Sequence, residues 1–591
     1  MTTVYNSILS KQWQCNNINH RLVAILQQKC NISELLATLL ASRNVDHNEV
    51  VDFLQPKLKN ILPDPFLLTG VDVACNNIYQ ALVTNKKITI FADYDVDGAT
   101  SCAILVRFFR QLGIEANIYV PDRILEGYGP NTEALLSLKN NGTDLVIMVD
   151  CGTVAFAPLL AAKQAGLDII VIDHHLGVLE KPEAIAVINP NSLGENFPYK
   201  NICAAGVVFL FLVALNKTLR LHNFFATNNL KEPDLFSLLD LVALGTVCDV
   251  MPLYQLNRAF VKIGLQILAK RQNIGIKTIC DLAKINSKPN AYSLGFVIGP
   301  RINAGGRVGT STLAATLLST ENQLVAEQIA AKLEQLNQQR KDLENNILQQ
   351  AIDQLENNYG GFSCNDNVIF AVGTDWHQGV IGIIASRLKE RYNKPIAVLT
   401  MVDNQKAKAS CRSVAGIDFG KAILQARMQH LIIEGGGHAM AGGFSIKQDN
   451  IKNLHNFFCQ TMPQQSLDNI GNYDFEIDWL QVNFDLLQEI EKLEPFGNDN
   501  PKPRFLIKNL HKISAKCIGQ KQEHISCLVA AKTAVGMRNH SYATAFRANN
   551  TAIGDFLLGN NNNFAIIGSI ETNYWLNNPR IQIIIDDIIP F

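Results

Sequence analysis

Apolar residues in the first half of the chain fall into short blocks, and each block stops at a polar or acidic residue. Ile88–Ala92 stops at Asp93, block 118–120 at Pro121 and Asp122, Leu145–Val149 at Asp150, and block 169–172 at Asp173. A short run without polar alternation reads as a strand buried on both faces. Helix-length segments between such runs read as the crossovers of a parallel sheet. The pattern predicts an α/β domain over residues 71–255, closed by an apolar stretch at 239–244 that leads to Asp249.

Other periods divide the remainder. Residues 1–70 show weak helical periodicity ending at Pro56, Pro63 and Pro65, which predicts an N-terminal helical segment. Residues 256–357 read as a helical connector. Between Glu321 and Leu355 there is no Gly or Pro, and Ile329, Leu333, Leu336, Leu343 and Ile347 keep a three-and-four spacing interrupted by Arg340. One long amphipathic helix bridging two domains is expected there. Residues 358–460 read as a second α/β domain, with a strand at 368–372, a helix at 380–392 stopped before Pro395, and glycines clustered at 435–443. Residues 461–591 change character, with a short helix near 483–493, a Pro/Gly/Asn-rich connector at 495–503 and then strand-like segments. An all-β, OB-like barrel is expected.

Composition narrows the class. A chain of 591 residues exceeds one core, since domains run to roughly 150 residues. With 47% hydrophobic and 18% charged residues it is an ordinary globular chain. Lys plus Arg total 52 against 53 for Asp plus Glu, so any nucleic-acid contact must use local patches. The 13 cysteines form no CxxC pair, which argues against a disulfide framework or a zinc ribbon. The first twelve residues lack a basic start joined to an apolar stretch. The longest apolar run, 203–215, is shorter than the roughly 20 residues that span a bilayer. A cytoplasmic protein without a membrane segment is expected.

The candidate chemistry lies where the blocks end. Asp93, Asp95, Asp97 and Gly98 could open a calcium loop, but its twelfth position holds Ile104 instead of a glutamate. A single acidic turn could equally cap a helix. Here Asp150, the run Asp173, His174 and His175, and Asp249 add to it, and everything beyond the strand ends of a parallel sheet converges on one crevice. Carboxylates and imidazoles gathered there need a cation. Mixed oxygen and imidazole donors suit manganese or magnesium, while Cys151 and Cys248 read as small buried hydrophobes. Two such ions, about 4 Å apart, favour hydrolysis of a phosphoester or phosphoanhydride.

These residues resemble the DHH phosphoesterase superfamily: DYDVDG at 93–98, VDCG at 149–152, DHH at 173–175, and Asp249. GPRINAGGR at 299–307, DWHQGVIG at 375–382, SCRS at 410–413, GGGHAMAGG at 435–443 and EPFGNDNP at 494–501 are similar to its single-strand-specific exonuclease branch. The resemblance implies a parallel-sheet DHH domain, a DHH-associated domain and an OB barrel. It implies two ions, manganese or magnesium, and digestion of single-stranded DNA from the 5′ end to mononucleotides in repair and recombination. By the same resemblance Asp95 and Asp150 hold one ion and Asp97, Asp150, His174 and Asp249 the other. Asp93 and Asp173 orient these ligands, and His175 sits near the scissile phosphate. A monomer working with a single-strand-binding protein and a helicase is implied as well. Two positions depart from the usual pattern, Cys411 and Asp375, where glycine is common; neither change removes a polar group the chemistry needs.

An exonuclease must also grip a chain end, and Arg forks and glycine-rich segments suit a terminal phosphate. The candidates are Arg123, Arg301, Arg307, His377, Ser410 and Arg412, with Gly435, Gly436, Gly437 and His438 as a loop. Arg301 and Arg307 could instead form structural ion pairs, and the neighbouring Trp376 could be a core residue. Lys502, Arg504, Lys508, Lys512 and Lys516 make a basic stripe interleaved with Phe505, Ile507 and Ile513. That stripe fits a barrel tracking a single strand, or a solvated face. Competing functions are a DHH phosphodiesterase for oligoribonucleotides or cyclic dinucleotides, an inactive DNA-binding scaffold, and a pyrophosphatase.

Overall fold

Five parallel strands form the first sheet, in the spatial order Asn117–Tyr119, Ile88–Ala92, Leu145–Val149, Asp168–Ile172, Ala186–Ile188. The computed structural model of the chain describes residues 3–122, 126, 129–403, 405–463, 470–533, 536–573 and 579–590. Strands Ile88–Ala92 and Leu145–Val149 are buried along their whole length, as unalternating apolar runs require. Chain order reverses at Ile88–Ala92, whose two neighbours come next in sequence on opposite sides. This is the switch point at which such sheets open a crevice. The helix Ala204–Leu221 contains the longest apolar run and lies in the core under this sheet, against helices Val71–Val83, Val96–Gln111 and Leu239–Cys248.

The bridging helix is real and spans Gln323–Glu356. Its first half (Ala326, Ala330, Leu333, Leu336) packs into the first core, and Ile347, Ala351, Ile352 and Leu355 pack into the second. The interrupting Arg340 donates to Glu344, which is buried and also takes Arg387 from the helix Ile381–Tyr392. The second domain has a mixed sheet in the order Glu434–His438, Ala441–Lys447, Lys406–Arg412, Ile396–Met401, Ile369–Gly373.

The C-terminal strands close into a barrel. Phe505–Ile518 pairs with His524–Thr533 on one side and with Asn563–Asn573 on the other, and Gly536–Ala545 and Arg580–Pro590 complete the ring. The N-terminal segment packs on this barrel: Val23, Leu26, Leu36, Leu40 and Phe53 share its core, and strand Gln12–Cys15 pairs with Ile470–Tyr473.

The expected basic stripe is corrected by this packing. Lys502 pairs with Glu571, Arg504 with Asp586 at 2.8 Å and Lys508 with Glu476 at 2.5 Å, all acids distant in sequence. Lys512 is buried at a strand bulge, where its ammonium donates to the Leu557 and Gly559 carbonyls at the end of helix Ala552–Leu558. Phe505 and Ile507 lie in the barrel core and cannot stack on bases. Lys516 stays exposed, without a carboxylate partner among the described residues, and Ile513 is exposed.

Arg258 ties the first domain to the N-terminal segment and to the connector that precedes the barrel. It is buried and donates to the carbonyls of Phe53, Leu493, Glu494 and Pro495 while its guanidinium covers the Phe53 ring at 3.8 Å. Burial pushes its pKa down to about 9, helped by nearby Arg43. Replacing Arg258 by Met leaves four carbonyls without their donor, and chemical denaturation is expected to show a loss of about 3 kcal/mol or more.

Candidate metal centre

The turn after Ile88–Ala92 carries three acids into the crevice. Asp95 caps helix Val96–Gln111, its Oδ1 accepting from Asp97 N at 2.8 Å and Gly98 N at 3.2 Å. Gly98 is required there, because a Cβ would lie 2.4 Å from the Asp93 carbonyl oxygen. Asp97 is buried, and its two oxygens accept from Ala204 N at 2.6 Å and Ala205 N at 3.0 Å, the first turn of helix Ala204–Leu221. The positive end of that helix favours a carboxylate in this place. Gly245 also faces it; a Cβ there would come within 2.7 Å of Asp97 Oδ1.

The neighbouring strand ends supply the rest. Asp150 follows Leu145–Val149 with φ +62°, a left-handed conformation that aspartate tolerates better than most residues. His174 Nε2 lies 3.3 Å from Asp150 Oδ1, 3.5 Å from Asp249 Oδ2 and 3.7 Å from Asp97 Oδ2. Asp93, Asp95 and Asp150 form a second group, and Asp150, His174 and His175 a third, the ligand atoms of each group lying within 4.8 Å of one another. A carboxylate oxygen of Asp93 thus lies beside those of Asp95 and Asp150. Asp173 points elsewhere, accepting from Thr153 N, Thr153 Oγ1 and the backbone N–H groups of His174 and His175, and pairing with His175 Nδ1 at 2.8 Å.

Asp249 ends helix Leu239–Cys248. The chain reverses there with Val250 N donating to Val247 O and Met251 N to Thr246 O, and Val250 at φ +57°. This is the helix stop that glycine usually makes. A β-branched residue in that conformation costs about 1–3 kcal/mol.

Electrostatics match the geometry. Burial raises the pKa of Asp97 and raises that of Asp150 strongly, with neighbouring carboxylates adding to Asp150. Burial and the charges of Asp97 and Asp95 push Asp249 up to about 8. Burial opposes ionisation of Asp173 too, but its bonds to His175 and Thr153 outweigh that and hold it well below the usual range. Burial likewise opposes the charge on His175, yet Asp173, Asp249 and Asp93 push it up to about 9. Asp150 Oδ1 and Asp249 Oδ2 are buried and accept no hydrogen bond from the described residues. Orphaned carboxylate oxygens facing an imidazole fit a divalent cation with oxygen and nitrogen donors.

The other expected residues divide. Ser410 and Arg412 meet at the start of helix Ile381–Tyr392: Arg412 donates to Ser386 Oγ at 3.1 Å, Ser410 Oγ at 3.4 Å and the Cys411 carbonyl, without a carboxylate partner among the described residues. Burial lowers its pKa. Gly382 lies close by; a Cβ there would be 3.0 Å from Ser410 Oγ. Arg307 donates to the Gly379 carbonyl at 2.9 Å, and His377 accepts from Gly379 N while lining a cleft with Val308, Asp342 and Asn346. Trp376 is a core residue bonded to Gln350.

Arg301 is corrected: it pairs with Glu334 at 2.5 Å and bonds the Val297 carbonyl, fastening its helix to the bridging helix. Gly435, Gly436, Gly437 and His438 are not a loop but a strand paired with Ala441–Lys447. A Cβ at Gly437 would lie 2.4 Å from Gly442 Cα, so glycine permits the close pairing. Arg123 lies outside the described residues.

Sequence reading missed Thr153, Asn189 and Asn191. Asn189 Nδ2 donates to Thr153 Oγ1 and the His175 carbonyl, and Asn191 Nδ2 to the His174 carbonyl at 2.5 Å. The signal was present, because Asn189 and Asn191 follow the short apolar strand Ala186–Ile188 as the aspartates follow theirs.

Comparison with known proteins gives three matches along the chain. Residues 87–246 match the DHH family N-terminal domain, residues 365–464 the DHHA1 domain, and residues 473–587 the RecJ OB domain. The chain is 32% identical over 565 residues to the single-stranded-DNA-specific exonuclease RecJ of Haemophilus influenzae, covering 94% of this chain and 96% of that protein. It is 34% identical over 480 residues to the Escherichia coli protein of the same description, covering 80% and 82%. The crystal structure of Thermus thermophilus RecJ with Mn2+ superposes with a TM-score of 0.78 at 25% identity, over 98% of this chain and 79% of that one.

A cation must meet ionised carboxylates, whereas Asp249, with a pKa near 8, holds its proton below that pH without one. Binding of Mn2+ is therefore expected to release protons and to strengthen from pH 6 to pH 9. Calorimetry in two buffers of different ionisation enthalpy measures this directly, and an enthalpy independent of buffer contradicts it.

Proposed function

The chain belongs to the RecJ family of single-stranded-DNA-specific exonucleases, and we propose that it cuts single-stranded DNA from the 5′ end, releasing mononucleotides. It is a metal-dependent phosphodiester hydrolase using manganese or magnesium. The observation that carries the reading is the convergence of Asp97, Asp150, Asp249 and His174 in one pocket.

In this reading Asp95 and Asp150 hold one ion, Asp97, Asp150, His174 and Asp249 hold the other, and Asp93 supports the first group. When bound, the ions lower the pKa of a water and offset charge on the leaving oxygen. Asp173 and Thr153 set the ring of His175, whose Nδ1 is tied to Asp173. With Nδ1 engaged by Asp173, this imidazole would meet the scissile phosphate through Nε2. Arg412, Ser410 and the first turn of helix Ile381–Tyr392 receive the terminal phosphate, supported by the lack of a carboxylate partner for Arg412 among the described residues. Arg307, His377 and His438 line the approach, and the exposed Lys516 contributes on the barrel.

The RecJ OB match separates this chain from shorter DHH phosphodiesterases, and the full set of acids argues against an inactive scaffold. The protein acts on single-stranded DNA. We further place it in the cytoplasm as a monomer working beside a single-strand-binding protein and a helicase. Its thirteen unpaired cysteines support a reducing compartment.

With a 5′-labelled single strand and Mn2+, Asp97→Ala is expected to abolish hydrolysis while DNA binding survives; unchanged turnover would refute the assignment. Arg412→Ala is expected to raise KM for 5′-phosphorylated strands by about tenfold or more, with a smaller effect on strands lacking that phosphate. Equal effects on the two substrates would move the phosphate site elsewhere.

A further inference from the structure

The reversal after Asp249 depends on a residue far along the chain. Val250 holds its left-handed conformation although the residue is 65% exposed, so packing does not impose it. Besides the helix-stop bonds of Val250 N and Met251 N, the backbone is held by the connector that precedes the barrel. Asn498 Nδ2 donates to the Val250 carbonyl at 2.8 Å, and Leu253 N donates to the Asn498 carbonyl at 2.8 Å. Leu253 is buried against Gly497, where a Cβ would come within 2.7 Å of Leu253 Cδ1. The connector itself is fixed by Arg258, which bonds the Leu493 and Glu494 carbonyls, and by Asn500 Nδ2, which bonds those of Leu493 and Pro495.

We propose that Asn498 is a positioning residue for the metal centre: its amide holds Val250 in the left-handed conformation and thereby aims the Asp249 carboxylate at His174. The inference rests on Asp249 being a metal ligand, as read above. Without the clamp, a β-branched residue relaxes toward right-handed or extended backbone, and the adjoining carboxylate turns with it. Asn498 bonds the backbone of Val250 and Leu253. It acts through the one residue that follows Asp249, and so couples seating of the barrel connector to cation affinity.

The test uses the intact protein and Mn2+, with free Mn2+ followed by electron paramagnetic resonance and DNA turnover measured separately. Asn498→Ala is expected to weaken Mn2+ binding by about tenfold while KM for DNA at saturating Mn2+ stays unchanged. Glycine adopts the left-handed conformation without help, so Val250→Gly added to Asn498→Ala is expected to restore Mn2+ binding. A purely structural lesion would not be rescued in this way. Asp249→Ala serves as the reference variant. If it weakens Mn2+ binding and Asn498→Ala does not, or if Val250→Gly fails to rescue, the positioning role is overturned. If Asp249→Ala itself leaves Mn2+ binding unchanged, the ligand assignment fails first and the inference falls with it.

Discussion

Mutual repulsion among carboxylates that share one buried pocket is the constraint on which this molecule is organised. Asp93, Asp97 and Asp150 are buried at the ends of adjacent strands or in the first turn of a helix, and Asp249 closes the same space from another helix. Ionising all of them in a low-dielectric crevice is costly unless a cation joins them. Part of the charge is answered by the chain, through the backbone amides of Ala204 and Ala205 at Asp97 and the imidazole of His174. The remainder, seen as the orphaned oxygens of Asp150 and Asp249, is what a divalent ion completes. The large apolar core beneath the sheet keeps these groups from moving apart.

The second domain is attached directly to this pocket. Helix Gly299–Val308 packs against the metal turn, where a Cβ at Gly306 would meet the Tyr94 carbonyl at 2.9 Å, and the next residue, Arg307, bonds Gly379 in the partner domain. Arg412 is therefore placed relative to the acids by a short chain of contacts and by the bridging helix. The barrel is joined from the other side through Arg258 and the 494–501 connector. The second domain and the barrel are thus joined to the first domain on different sides.

Much of the site was legible in the chain because its signal is local. An apolar run ending in an acid reports both a buried strand and the position of its C-terminus, so Asp93, Asp150 and Asp173 could be placed together from periodicity alone. The long helix was equally legible from an uninterrupted spacing, with Arg340 as the visible break. The arrangement within the cluster was less so: Asp93 lies beside Asp95 and Asp150, whereas Asp173 turns away to hold His175. Asn189 and Asn191 obey the same end-of-strand rule but were passed over, because amides carry no charge to draw attention.

By itself the sequence determined the layered α/β plan, the bridging helix, the barrel and the set of acids, since each depends on neighbours within a few residues. Tertiary structure alone decided which cations remain available. Lys502, Arg504 and Lys508 look like an open basic stripe until Glu571, Asp586 and Glu476 arrive across the barrel. It also decided that Arg301 is spent on Glu334 while Arg412 meets no carboxylate among the described residues, and that the N-terminal helices pack on the barrel. The physical reason is that backbone period and burial are written locally, whereas an ion pair is set by which distant surfaces the finished fold brings within a few ångströms.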